Sequence, residues 1–90
     1  MKTYKLKEFL ELPVGTIFYE FMGHSMYIKQ DSIIEDDYLD FYYIELFDNI
    51  DNKKRRYGSP ELDDEFDVLE KEDLLHLKGH IDNTLNKESK

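Results

Sequence analysis

Twelve consecutive residues, Asp37–Asp48, constrain this chain more than any other feature. They read Asp-Tyr-Leu-Asp-Phe-Tyr-Tyr-Ile-Glu-Leu-Phe-Asp and hold three tyrosines and two phenylalanines. Aromatic residues of this density favour extended strands, because in a helix each ring loses side-chain freedom against the preceding turn. A strand over 38–48 sets Leu39, Phe41, Tyr43 and Phe47 on one face, with Tyr42, Ile44 and Leu46 on the other. Two apolar faces predict a central strand, covered on both sides or wrapped into a small barrel.

The flanking segments supply neighbours for such a strand. Leu6, Phe9 and Leu10 have helical spacing and predict a helix over 3–11, with Thr3 as N-cap and Pro13 as its limit. Leu12-Pro13-Val14-Gly15 has the proline and glycine positions of a type I turn. A strand over 16–22 follows, with Ile17, Tyr19 and Phe21 on one face. Gly23-His24-Ser25 then turns into a strand over 26–31 with Met26 and Ile28 inward. Gln30–Asp37 reads as a polar connection. Asp48–Glu65 lacks periodicity, and a loop of that length is functional, disordered or conceals a short strand, for which Tyr57 and Leu62 are the candidate anchors. A last strand spans 65–69, with Phe66 and Val68 inward. Leu74, Leu77, Ile81 and Leu85 define one face of a helix over 71–85, weakened by Gly79 and fraying from Asn86. The expected architecture is one α+β domain over 1–90. It is a bent antiparallel sheet of four or five strands, with a partly open small barrel as its variant, and short N- and C-terminal helices.

Ninety residues hold one modest core and no deep enclosed active site. There is no cysteine, which excludes disulfides, zinc–thiolate sites and cysteine catalysis. No apolar run approaches the roughly 20 residues of a membrane span, and Met1–Leu12 lacks a signal-peptide core, so a cytoplasmic location is expected. The net charge of −9 is unevenly distributed. Asp31–Asp51 contains eight acids and no base, and Gly58–Asp73 has eight acids against one lysine. Between them lies the basic knot Lys53-Lys54-Arg55-Arg56. Such a chain is repelled by nucleic acid and attracts a basic or nucleic-acid-binding protein.

Each candidate chemistry has a plainer counterpart. Asp73, His76 and His80 have a spacing that would suit a metal on one helix side, but that side faces away from the apolar stripe and reads as a solvated surface. His24, alone in its turn, has no partner nearby in sequence. Asp48-Asn49-Ile50-Asp51-Asn52-Lys53 opens like a calcium loop, then meets four cations and lacks the glycine. Carboxylate pairs carry no specificity in so acidic a chain, and no phosphate loop or nucleophile elbow is present. No metal, cofactor or catalytic residue is therefore expected. The basic knot with Tyr57 is either a small phosphate site or a clamp folding back onto the acids. Glu35, Asp36, Asp37, Asp40, Tyr42, Glu61, Asp63, Asp64 and Glu65 are the expected partner-binding residues, with acids imitating DNA phosphates and tyrosine as anchor.

Leu12-Pro13-Val14-Gly15-Thr16-Ile17-Phe18, Asp40-Phe41-Tyr42-Tyr43 and Phe66-Asp67-Val68-Leu69-Glu70-Lys71-Glu72-Asp73-Leu74 resemble segments of small phage and prophage proteins of Gram-positive bacteria. The resemblance covers about half the chain and implies an origin in a mobile element, with no general activity to transfer. It implies an accessory protein that binds and inhibits a host nucleic-acid enzyme or defence factor, of the anti-restriction or anti-CRISPR kind. The alternative is a structural or assembly protein that self-associates through an aromatic sheet face.

Overall fold

The computed structural model describes residues 1–20, 25–47 and 53–88. The chain forms an open, fully antiparallel six-stranded sheet with one short and one long helix, an α+β architecture. The elements are β1 (Lys2–Lys5), α1 (Leu6–Leu10), β2 (Ile17–Glu20), β3 (Met26–Glu35), β4 (Tyr38–Glu45), β5 (Arg55–Arg56), β6 (Glu65–Val68) and α2 (Lys71–Glu88). Their order in the sheet is β1-β6-β2-β3-β4-β5. The expected Gly23-His24-Ser25 turn (apart from Ser25), Phe21 and the calcium-like residues 48–52 lie outside the described residues.

The sheet has one strand more than the expected four or five: β5 is the short strand concealed in 48–65, β1 is the unexpected one, and both are edges. Lys2–Lys5 is a strand and not the first turn of a helix, with Lys2, Thr3, Tyr4 and Lys5 opposite Val68, Asp67, Phe66 and Glu65. The ladder to β6 overrides local helical spacing here, since β6 would otherwise expose unpaired backbone on that side. α1 therefore has only five residues and no side-chain N-cap. A helix so short has no stability of its own. It persists because Leu6, Phe9 and Leu10 are all buried.

Phe9 is the centre of that burial. Its ring lies 4.8 Å from Phe18, 5.0 Å from Phe41 and 4.4 Å from Phe66, all from one sheet face. Tyr4, Tyr27, Leu39, Tyr43 and Tyr57 close the cluster. Phe66 and Val68 point inward as the sequence predicts, and Phe41 and Tyr43 share the core face of β4. The predicted inward face of β3 is reversed. Tyr27 packs against the core and Lys29 is buried, while Ile28 stands between Ile17 and Ile44 on the opposite face. β4 is also not central, since only the two-residue β5 lies beyond it.

Lys29 explains the reversal. Its ammonium donates to Ser32 Oγ at 2.8 Å and the Gln30 carbonyl at 3.2 Å, and Ser32 Oγ donates in turn to the Leu10 carbonyl at 2.7 Å. The register of β3 against β4 shifts between Lys29 and Ser32, which makes room for this network and lets β3 continue to Glu35. Burial pushes the Lys29 pKa down, with Asp31 opposing. The turn after α1 is likewise one residue later than predicted. Thr16 N–H donates to the Pro13 carbonyl at 3.3 Å, with Gly15 at φ 100° in the third position, as in a type II turn.

The stability consequences separate the core from α2. Phe9→Ala should cost about 3–5 kcal/mol in urea unfolding, whereas Leu85→Ala should stay within about 0.5 kcal/mol, because Leu85 is exposed.

Candidate functional site: an acidic groove held by Asp40

β3 and β4 are joined through Asp36-Asp37, with Glu35 paired to Tyr38 across the hairpin mouth. This tip meets the segment after β5. Together they form a groove of about 340 Å³ lined by Leu6, Lys7, Asp36, Asp37, Tyr38, Leu39, Pro60 and Leu62. Two segments more than twenty residues apart thus share one groove: Asp36 and Asp37 supply its acids, Lys7 a cation, and Pro60 and Leu62 part of its apolar wall.

The groove depends on Asp40. By alternation Asp40 lies on the face opposite Phe41, yet it is fully buried. Its Oδ2 accepts from the Tyr38 hydroxyl at 2.7 Å and Arg56 Nε at 3.0 Å. Its Oδ1 accepts from the backbone N–H of Phe41 at 2.8 Å and of Gly58 at 3.1 Å. Arg56 Nη2 also donates to the Tyr38 hydroxyl at 2.6 Å, and its guanidinium lies 5.0 Å from the Tyr38 ring centroid. Burial pushes the Asp40 carboxyl up, but the hydrogen bonds from Tyr38, Phe41, Arg56 and Gly58 together outweigh it and hold the pKa below its ordinary value. Next to this latch, Tyr57 N–H donates to the Phe41 carbonyl at 2.9 Å and the Tyr57 ring stacks on Phe41 at 4.7 Å. Gly58 at φ 90° and Ser59 at φ 53° then turn the chain toward Pro60. The first of these positions favours glycine, which carries no Cβ.

The expected site residues separate into three groups. Asp36 and Asp37 line the groove, Glu35 flanks them, and Glu61 lies between the lining residues Pro60 and Leu62, with Asp63 following. Among the described residues, none of Glu35, Asp36, Asp37, Glu61 and Asp63 forms an ion pair. Asp64 is used locally: its Oδ2 accepts from Glu61 N–H at 2.8 Å and its own N–H donates to the Glu61 carbonyl at 3.1 Å. That turn brings carboxylate oxygens of Glu61, Asp63 and Asp64 within 4.8 Å of one another. The third group lies elsewhere. Asp40 is a buried latch and no surface ligand, which corrects the sequence expectation. Tyr42 is half-buried opposite Arg56 with Lys54 4.8 Å from its ring centroid, and Glu65 faces Lys5 on β1 at 3.9 Å.

The basic knot is spent inside the molecule in part, as the clamp reading anticipates. Arg56 holds Asp40, and Lys54 Nζ lies 3.0 Å from Asp31 Oδ2. Arg56 was missed as a positioning residue, because nothing in a run of four cations marks which one turns inward. The His76 and His80 rings meet each other at 3.2 Å between their Nε2 atoms. Asp73 turns instead to the Glu70 N–H and the Met1 amino group, each at 2.8 Å. This is half of a capping box for α2. The aromatic face of the sheet packs against α1 through Leu6, Phe9 and Leu10. Among the described residues, no helix is long and apolar enough to cross a membrane. Comparison with protein-family models, curated proteins and solved structures found no match.

Asp40 gives the fold a specific acid sensitivity. Its carboxyl titrates near the ordinary 3.8 when unfolded and lower when folded. Its contribution is therefore fully present above the unfolded value and is lost as pH falls through the folded one. Asp40→Asn should lower neutral-pH stability by about 2–3 kcal/mol in urea titrations. It should also flatten the loss of stability as pH falls below about 4.

Proposed function

We propose that this protein is a non-catalytic binding module whose acidic groove takes a basic segment of a nucleic-acid-binding protein and so competes with nucleic acid. The observation that carries the reading is a groove in which Asp36 and Asp37 face the apolar side chains of Leu6, Leu39, Pro60 and Leu62, with Glu61 and Asp63 next to Leu62 in the chain. Leu62, 59% exposed in that groove, adds an apolar anchor to the charge. Acidic side chains steer a basic partner into place, and the apolar lining supplies contact area that outlasts the encounter. The resemblance to small phage proteins fits such a role against a host enzyme or defence factor in the cytoplasm of a bacterium.

Capture from a nuclease-treated Gram-positive lysate tests this, with the protein compared against Asp36→Lys/Asp37→Lys/Glu61→Lys/Asp63→Lys. A nucleic-acid-binding protein should be retained at about 50 mM salt and released at about 500 mM, because the attraction is electrostatic. The variant should retain at least tenfold less of it. Equal retention by the two proteins would refute the groove as the binding site.

A further inference from the structure

We propose that α2 pairs antiparallel with α2 of a second copy through the stripe Leu74, Leu77, Ile81 and Leu85. The molecule measures 55 × 28 × 23 Å. α2, about 27 Å long at 1.5 Å per residue, accounts for much of the excess in the first dimension. Its first turns lie along a groove that includes Tyr19, Met26 and Leu69, which half-buries Leu77. The rest of the stripe is left open, with Leu74 38%, Ile81 48% and Leu85 58% exposed. A helix of eighteen residues is marginal in water without tertiary support, and Gly79 at its middle lowers its stability further. Covering the stripe supplies what the body of the protein does not.

Charge identifies the occupant. Residues 71–90 balance four cations against four anions, so the whole −9 sits on residues 1–70. A basic partner is drawn to that body and gains nothing from a neutral apolar stripe. A second α2 meets no net repulsion, provided that the two acidic bodies stay apart. A parallel pair would set them side by side. An antiparallel pair places them at opposite ends, separated by a helix length of about 27 Å against a screening length of about 8–10 Å. It also opposes the two helix dipoles. Leu74 of one copy then lies across from Leu85 of the other, with Leu77 and Ile81 filling the middle. A single helix face offers well under the roughly 800 Å² per partner of a standard interface, so the dimer is weak and reversible.

Sedimentation equilibrium of the full chain should show the mass rising from one chain toward two at concentrations on the order of 10–100 µM. Ile81→Asp should hold the mass at one chain, with the thermal melt of the sheet unchanged. Because the chain has no cysteine, orientation can be read by disulfide trapping. Leu74→Cys and Leu85→Cys chains mixed under mild oxidation should cross-link to each other, and neither should cross-link alone. The acid-to-lysine groove variant should dimerise as the parent does, so failure here is distinguishable from failure of the groove. A single-chain mass up to about 1 mM, or disulfides formed by Leu74→Cys alone and absent from the mixture, would overturn the proposal.

Discussion

The contact of Phe9 with Phe18, Phe41 and Phe66 is the constraint on which the rest of this structure depends. These four rings come from α1, β2, β4 and β6, so a single side chain cross-ties three strands that are not all neighbours in the sheet. A five-residue helix holds its shape only by burial, and a sheet with an aromatic face needs a cover. Each supplies what the other lacks. Lys29 extends the tie, since its ammonium and Ser32 join the bulge in β3 to the C-terminal end of α1. The two charged side chains buried among the described residues, Lys29 and Asp40, both serve to fix where a segment of chain lies.

Charge is organised by the same economy of roles. Arg56 and Lys54 engage acids within the sheet, while Asp36 and Asp37 of the β3–β4 tip line the groove. The result is a molecule with three electrically distinct parts: a latch where opposite charges are matched at hydrogen-bond distance, a groove with more acid than base, and a C-terminal segment, residues 71–90, with no net charge. On the two proposals above, binding at the groove would weaken with salt whereas contact along α2 would be apolar, so the two surfaces would not compete.

Much of this was legible in the sequence, and the failures share one cause. The alternation of Leu39, Phe41 and Tyr43 and the inward pair Phe66 and Val68 give local structure correctly because burial and periodicity agree there, and the 3.6-residue spacing from Leu74 to Leu85 gives the helix although most of that stripe is exposed. The face of β3 was misread because its inward position is a lysine, which hydrophobic patterning assigns to solvent. Asp40 was misread as surface for the same reason. In both cases the groups that make burial tolerable, Leu10 and Ser32 for one, Arg56 and Gly58 for the other, come from elsewhere in the chain. β1 was misread because Lys2–Lys5 has no strand pattern of its own and is extended only by virtue of β6. The groove followed the acidic blocks in outline, but the turn at Gly58-Ser59 that folds one block toward the other left no periodic signal.

The position of β6 has a consequence for how this chain is assembled in time. β6 lies between β1 and β2, so residues 65–68 must be threaded alongside residues 2–5 and 18–20 at once. The β2–β3–β4 meander can form from near neighbours, but β1 has no partner in the sheet until residues 65–68 exist. During synthesis Phe9 therefore waits without Phe66, and β2 presents an open edge for the same interval. Closing a loop of some sixty residues is the late, slow event in such a topology. β1, made before every other strand of this sheet, is among the last to be secured.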